Sequence, residues 1–353
     1  MRRAVLVCSV AIAGTALLGT AATAATATWN DVALPATAGT GTLSAIATGS
    51  GTSAMTIGTL NGGTAVYSWS GTAWQSTAAV PVPFAPSALA VVSGSDAWAG
   101  GIGPFTLNGL GVSLHWNGSA WQQVTYPSWQ LPLAIAASPD GAAWSIAGWT
   151  RDGGSPSSLF RWTGSAWASV SVPAPAGTAF TSISARTKND VWLGGTYSNG
   201  TSVFPIVVHY DGTTWAPVTA PSGTWGVPAN QNVVQAIAAV SPTSVWALRA
   251  QHASYLLHYD GTSWQQIALP TAADPLSVAG DGQGGAWVST TGSPNQATYL
   301  HWTGGQWVTA TGPARSGATT LSGLAQINGG TGVWSAGGTT QNGTGVPFTE
   351  RLG

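Results

Sequence analysis

The apolar positions of this chain fall into short runs that read as β-strands and recur in a fixed order. One set of runs is "LSAIA" (43–47), "SALAVV" (87–92), "LAIAA" (133–137), "FTSISA" (180–185), "VQAIAAV" (234–240), "LSVAG" (276–280) and "LSGLAQ" (321–326). After each comes a turn rich in Gly, Asn, Asp or Ser, and then a second run marked by Trp98, Trp144, Trp192, Trp246, Trp287 or Trp334, with Met55 in the seventh slot. A third run reads "VSLHW", "SLFRW", "IVVHY", "YLLHY" or "TYLHW". The frame [DNTS]-G-x-x-W then turns the chain into a fourth, which opens on Trp74, Trp121, Trp167, Trp215, Trp264 or Trp307, with Trp29 as a seventh member.

The spacings of that last Trp series are 45, 47, 46, 48, 49 and 43 residues. A fixed period of this size with aromatics at fixed offsets indicates a repeat fold, and about 40–50 residues is the range of a four-stranded propeller blade. The expected fold is therefore all-β, a seven-bladed β-propeller with strands A to D in each blade. The near-identical "HYDGTTW" (209–215) and "HYDGTSW" (258–264) are two copies of one hairpin. Asp211 and Asp260 are read as turn residues, because Asp tolerates the local geometry and bonds its own backbone.

The two ends complement each other. "TWNDVALP" is a D-type strand with no C strand before it, and "VPFTERLG" is a C-type strand and turn with no D strand after it. The N-terminal strand is expected to complete the last blade, which removes two open sheet edges. Aligning the terminal Gly with the turn Gly of the other blades puts Glu350 in the strand C slot held elsewhere by His115, His209, His258, His301, Arg161 and Ser68.

Residues 1–27 read as a secretory signal peptide, with "MRR" as the positive start, an apolar run and small-residue cleavage sites after Ala24 or Ala27. Residues 28–353 then form one propeller domain, expected to be secreted, monomeric and without a membrane span. The single Cys8 lies in the leader. Disulfides, thiol nucleophiles and thiolate metal sites are thereby excluded from the mature chain. Removing Arg2 and Arg3 leaves 7 basic against 10 acidic residues, so no basic footprint for a nucleic acid is present.

Strand B ending in a Gly pair, as in "WAGG" (98–101), "WLGG" (192–195) and "WSAGG" (334–338), followed by an aromatic on the next strand and a Trp on the one after, resembles the kelch repeat of galactose-oxidase-type propellers. The "LHW-[NT]-G-x-x-W" hairpin resembles the repeats of secreted bacterial propeller lectins. The first resemblance implies a copper site with a Cys-crosslinked Tyr, which a mature chain without Cys cannot build. The second implies sugar binding between or atop the blades. Fold transfers from such motifs better than function does. No cofactor or metal site is expected.

The three repeat series absorb 17 of the 20 Trp residues and leave Trp129, Trp149 and Trp225. These fall in D–A, B–C and D–A connections, which in an up-and-down blade emerge on one face. Arg151 and Asp152 follow Trp149, and Tyr126 precedes Trp129. Aromatic faces beside hydrogen-bonding groups suit a sugar, so these six residues are the candidate ligand site; lids over the blade ends are the competing reading. Phe105, Tyr197 and Phe204 lie in the same class of connection, and exposed apolar area there would instead mark a protein partner. A carbohydrate-active hydrolase or lyase would need a pair of acids, for which Asp152 and Asp274 are the loop candidates. No catalytic residue is assigned. His252 lies off the pattern, in a loop.

Overall fold

The computed structural model describes residues 27–104, 111–127, 130–148, 156–218, 233–249, 255–270, 274–291 and 294–353. Strand β1 (Trp29–Asp31) stands first, and six uninterrupted blades follow. Blade 1 is β2–β5 (Gly41–Thr48, Ala54–Leu60, Gly63–Trp69, Trp74–Ser76) and blade 2 is β6–β9 (Ala85–Ser93, Asp96–Ile102, Gly111–Trp116, Trp121–Val124). Blade 3 is β10–β13 (Leu131–Ala137, Ala143–Gly148, Ser158–Trp162, Trp167–Val170) and blade 4 is β14–β17 (Ala179–Thr187, Asp190–Ser198, Val203–Tyr210, Trp215–Pro217). Blade 5 is β18–β21 (Val234–Ser241, Ser244–Arg249, Tyr255–Tyr259, Trp264–Ala268) and blade 6 is β22–β25 (Pro275–Gly280, Ala286–Thr290, Thr298–Trp302, Trp307–Thr311). Blade 7 joins β26 (Ala318–Gln326), β27 (Val333–Gln341) and β28 (Thr344–Leu352) to β1, in the order β1-β28-β27-β26. All seven sheets are antiparallel and four-stranded, and strand A of every blade touches strand A of both neighbours, which closes the ring.

The aromatic series build the seams between blades. The strand B Trp residues at 98, 144, 192, 246, 287 and 334 are all essentially inaccessible. On one side four of them carry a stacked His from strand C of the same blade, with ring centroids 4.0–4.2 Å apart. On the other side an aromatic of the next blade packs edge-on or tilted, as Trp167 does on Trp98 (4.9 Å) and Trp74 on Trp334 (5.0 Å). Six blades therefore bury a Trp at this position, and blade 1 buries Met55 there, so the seams run around the whole ring.

Strand A contains the same irregularity seven times. The register slips by one residue at Ser44, Ser87, Leu133, Thr181, Gln235, Leu276 and Ser322, a β-bulge in every blade. Where the bulged residue carries a hydroxyl, it can reach the next blade. Ser87 donates to the Pro132 carbonyl at 3.0 Å, Thr181 to that of Val234 at 2.7 Å, and Ser322 to that of Leu43. The bulge brings strand A so close to strand B that a Cβ at Gly101 or Gly195 would stand 2.1 or 2.2 Å from a carbonyl oxygen. Backbone approach thus explains one Gly of each pair, and side chains of the next blade, such as Pro132 at Gly100 and Val234 at Gly194, crowd the other.

The ring closes as the chain ends predict, with a register one residue away from the expected one. Trp29 pairs with Leu352, Asn30 with Arg351 and Asp31 with Glu350, while Trp334 of strand B faces Arg351. Arg351, rather than Glu350, occupies the His slot, with its guanidinium 5.4 Å from the Trp334 ring, as that of Arg161 lies 4.9 Å from Trp144. Two chain ends meeting in a sheet need no turn, so nothing obliges Gly353 to align with the turn glycines. A one-residue slip sends every side chain to the other face. Glu350 accordingly lies in the core register that Leu300 holds in blade 6.

Candidate functional site

The two faces of the ring are built differently. On one, every C–D turn of blades 1 to 6 has four residues: 70–73, 117–120, 163–166, 211–214, 260–263 and 303–306. The first residue of the frame caps the turn. Asp211 Oδ1 accepts from the amides of Thr213 and Thr214 at 2.8 Å, and Asp260 does the same with Thr262 and Ser263. These bonds hold both carboxyls far below the ordinary carboxylate range. The Gly that follows is left-handed in each of the six turns, from Gly304 (φ 90°) to Gly71 (φ 99°), which a side chain would strain.

The same face fixes the histidines. His115 bonds Asp96 at 2.9 Å, His209 bonds Asp190 at 3.0 Å, His301 bonds Asp281 at 2.8 Å and His258 bonds Ser244 at 3.0 Å. Burial works to raise Asp281, but bonds from His301 and from the Gln283 and Gly285 amides outweigh it and hold the carboxyl low. Asp190 is likewise held low against its burial, by His209, Arg186 and Trp192. Each His is locked between a flat Trp and a turn carboxylate or hydroxyl. No cluster of three His, Cys, Asp or Glu that could hold a metal exists among the described residues.

The opposite face carries the D–A and B–C connections, which vary in length. B–C ranges from two residues (61–62) to nine (149–157), and D–A from six (125–130) to sixteen (218–233). The exposed large hydrophobics among the described residues are Ile102 (41%), Phe204 (36%) and Val346 (38%), and each lies at the B–C end of its strand, in blades 2, 4 and 7. Tyr197 and Phe204 are strand residues rather than loop residues, paired across the B–C hairpin of blade 4 with rings stacked 5.1 Å apart.

Of the candidate ligand residues, Trp129, Trp149, Arg151, Asp152 and Trp225 lie outside the described residues, as do Phe105 and His252. Tyr126 stands in the D–A connection between β9 and β10. Its ring lies 5.6 Å from Phe160 and 6.3 Å from Trp167, and its hydroxyl is 2.7 Å from Ser145 Oγ. Burial pushes the phenol well up, and the Ser145 bond offsets only part of it. Half-buried and hydrogen-bonded, it anchors its loop to blade 3. Asp274 immediately precedes β22, and its carbonyl accepts from the Thr291 amide at 3.0 Å.

One group of charges on this side was not visible as a site in the sequence. Arg315, in the connection from β25 to β26, donates through Nη2 to both Asp31 Oδ1 and Glu350 Oε1. Tyr299 of blade 6 donates to Glu350 Oε2 at 2.6 Å, and its ring stacks on Trp29 at 3.8 Å. Glu350 is fully buried. Burial raises its carboxyl, and the bonds from Tyr299 and Arg315 lower it by less. Two carboxylates here share one guanidinium and join the two ends of the chain to blades 6 and 7. The only signal in the sequence was that the lone Glu of the chain sits in a closing strand.

Beside this latch opens a cavity of about 250 Å³, lined by Arg315, Ser316, Thr339, Gln341, Val346 and Pro347 among others. Thr339 is 2% exposed. Among the described residues, its Oγ1 and the Nε of Arg315 are buried without a hydrogen-bond partner.

No protein-family model and no curated protein matches the chain. Solved structures do. YCF48 bound to D1 peptide is similar at 13% identity and a TM-score of 0.58 over 94% of this chain and 99% of that one. The WD40 propeller domain of Doa1 is similar at 10% identity and a TM-score of 0.57, covering 92% and 97%. The GH74 xyloglucanase from Xanthomonas campestris gives 17% identity and a TM-score of 0.55, with 88% of this chain matching 53% of that one. At these identities the likeness is one of fold.

Proposed function

We propose that this protein is a secreted, non-catalytic binding propeller that recognises carbohydrate on the face carrying the D–A and B–C connections. The observation that carries this reading is the asymmetry of the faces. One consists of short turns, four residues at each C–D turn of blades 1 to 6 and two to six at each A–B turn, whose polar groups are engaged in capping and in His–Asp or His–Ser pairs. The other has connections of unequal length, the exposed large hydrophobics and the cavity of blade 7. Variable connections on a rigid scaffold are where binding residues concentrate. Trp129, Trp149 and Trp225 belong in sequence to connections of this class, and stacking on sugar C–H patches is the role proposed for them. The kelch-like Gly pairs and lectin-like hairpins agree with such a binding module.

A protein ligand is the second reading. It is favoured by Ile102, Phe204 and Val346, which offer apolar contact without hydrogen bonds, and by the peptide held in the similar YCF48 structure.

A glycan and polysaccharide screen of the mature chain tests the first, run beside Trp129→Ala/Trp149→Ala/Trp225→Ala and Ile102→Ser/Phe204→Ser variants with unchanged melting curves. Binding lost in the Trp variant supports carbohydrate recognition. No glycan binding by any of the three overturns it, and a peptide-library ligand lost in the Ile102/Phe204 variant would favour the second reading.

A further inference from the structure

The geometry points to the blade 7 cavity as a subsite for one neutral sugar residue, an inference that rests on the carbohydrate reading above. Its walls come from the connection into β26, the last residues of β27 and the start of β28. The rim is preorganised. Gln341 and Thr344 pair across a two-residue turn whose Asn342 (φ 48°) and Gly343 (φ 78°) are both left-handed, the geometry of a tight hairpin.

Three features define the ligand's chemistry. First, the cavity holds hydrogen-bonding capacity that the protein leaves unused. Thr339 Oγ1, which can donate or accept, and the Arg315 Nε–H, which can only donate, are both buried without partners among the described residues. Buried polar groups are normally paired, and a ligand acceptor and donor that displace the thin cover over these two atoms complete them. Ser316 and the Gln341 amide add further polar groups to the wall.

Second, the charge is already balanced. Arg315 is the sole charged lining residue, and its guanidinium is bound by Asp31 and Glu350. An anionic ligand would meet two carboxylates behind one cation and gain nothing net, whereas a neutral polyhydroxylated ring loses nothing. Third, the remaining wall is apolar, formed by Ala314, Val346, Pro347 and the Phe348 ring. Val346, 38% exposed, and Pro347 present C–H surface of the kind that covers a sugar's apolar patch. At about 250 Å³ the space falls just below the range of drug-sized pockets. It suits a single ring at the end of a longer chain better than a peptide segment.

The test is calorimetric titration of the mature protein with D-glucose, D-galactose, D-mannose and N-acetyl-D-glucosamine, with D-glucuronate and D-galacturonate as charged counterparts, and with any oligosaccharide retained in the glycan screen. Thr339→Val and Gln341→Ala are the variants. The first keeps the volume of a buried residue, the second alters the rim and leaves the core untouched, and Arg315 stays in place because the latch depends on it. The expected result is binding of a neutral sugar or its oligosaccharide, weakened about tenfold by Thr339→Val, the worth of one net hydrogen bond. Gln341→Ala is expected to weaken it too, and the uronates to bind less well than their neutral parents. Equal affinity in wild type and both variants overturns the subsite while leaving carbohydrate recognition elsewhere on the face intact. Tighter binding of a uronate overturns the charge argument and with it the proposed ligand. Failure of every sugar and every glycan removes both this subsite and the carbohydrate reading.

Discussion

Replacing Arg315 by Met probes the latch at which the ring closes. The guanidinium is 12% exposed, Asp31 is 50% exposed and Glu350 is fully buried, so the energetics are dominated by the Arg315–Glu350 contact. Half-exposed partners such as Asp31 add little. Removing one member of a buried ion pair costs about 3–5 kcal/mol, because the other is left charged and uncompensated. Glu350 would keep only the Tyr299 hydroxyl. It has one escape, which is to bind a proton. Its carboxyl already lies above the ordinary value, and losing Arg315 raises it further. A folded-state pKa above the unfolded one gives stability that is present at low pH and lost as pH rises through the folded value. The deficit of the variant should therefore be largest at pH 7 and shrink on acidification, by up to about 2.7 kcal/mol over two pH units. Urea unfolding followed by Trp fluorescence, with reversibility established, measures both. A deficit below about 1 kcal/mol at pH 7, or one that is equal at pH 7 and pH 5, refutes the reasoning. Arg315→Met/Glu350→Leu supplies the control, since Leu is what blade 6 carries in that register at Leu300. The double variant is expected to recover much of the loss, as buried pairs exchanged for packed apolar residues commonly do.

Other parts of the fold can be tested in the same way. Trp29→Ala removes the ring stacked on Tyr299 and edge-on to Trp287, and is expected to cost about 3–5 kcal/mol in the same urea assay; a loss under about 1 kcal/mol would mean that β1 does not hold the ring closed. Ser87→Ala deletes the hydroxyl that bonds the Pro132 carbonyl of the next blade and should cost about 1 kcal/mol, and an unchanged midpoint would contradict that inter-blade bond. Gly195→Ala drives a Cβ to 2.2 Å from the Ala179 carbonyl oxygen, so a drop of about 1–3 kcal/mol is expected, and an unchanged midpoint would contradict the close approach at the bulge. Asp281 is held low by its hydrogen bonds despite burial, so its contribution is present above the unfolded carboxylate value near 4 and lost as pH falls through the lower folded one; Asp281→Asn should flatten the melting temperature between pH 4 and pH 2, and an unaltered acid limb would count against it.

What the sequence determined by itself was everything set by local repetition. The period, the four strands per blade, the turn role of Asp211 and Asp260 and the pairing of the two chain ends all follow from aromatics and glycines at fixed offsets, because a blade is a local unit and each repeat states the same hairpins again. Closure by the N-terminal strand could be read because both ends carry an incomplete copy of that unit. The site was less legible. Unpatterned aromatics indicated which connections to watch, but no spacing along the chain encodes the packing of the Tyr126 ring near Phe160 or the bond of its hydroxyl to Ser145.

The tertiary structure alone decided what depends on two distant segments meeting. The hydroxyls at the strand A bulges find carbonyls 45, 53 and, across the ring closure, 279 residues away, and their partners exist only once blades stand side by side. The register of β1 on β28 is a contact between opposite ends of the chain with no turn to fix it, and packing selected a pairing one residue from that suggested by the glycines. That single step moved Glu350 from a half-exposed slot into the core. Burial there is what required Tyr299 and Arg315 to converge on it, and the same Arg315 lines the cavity beside the latch.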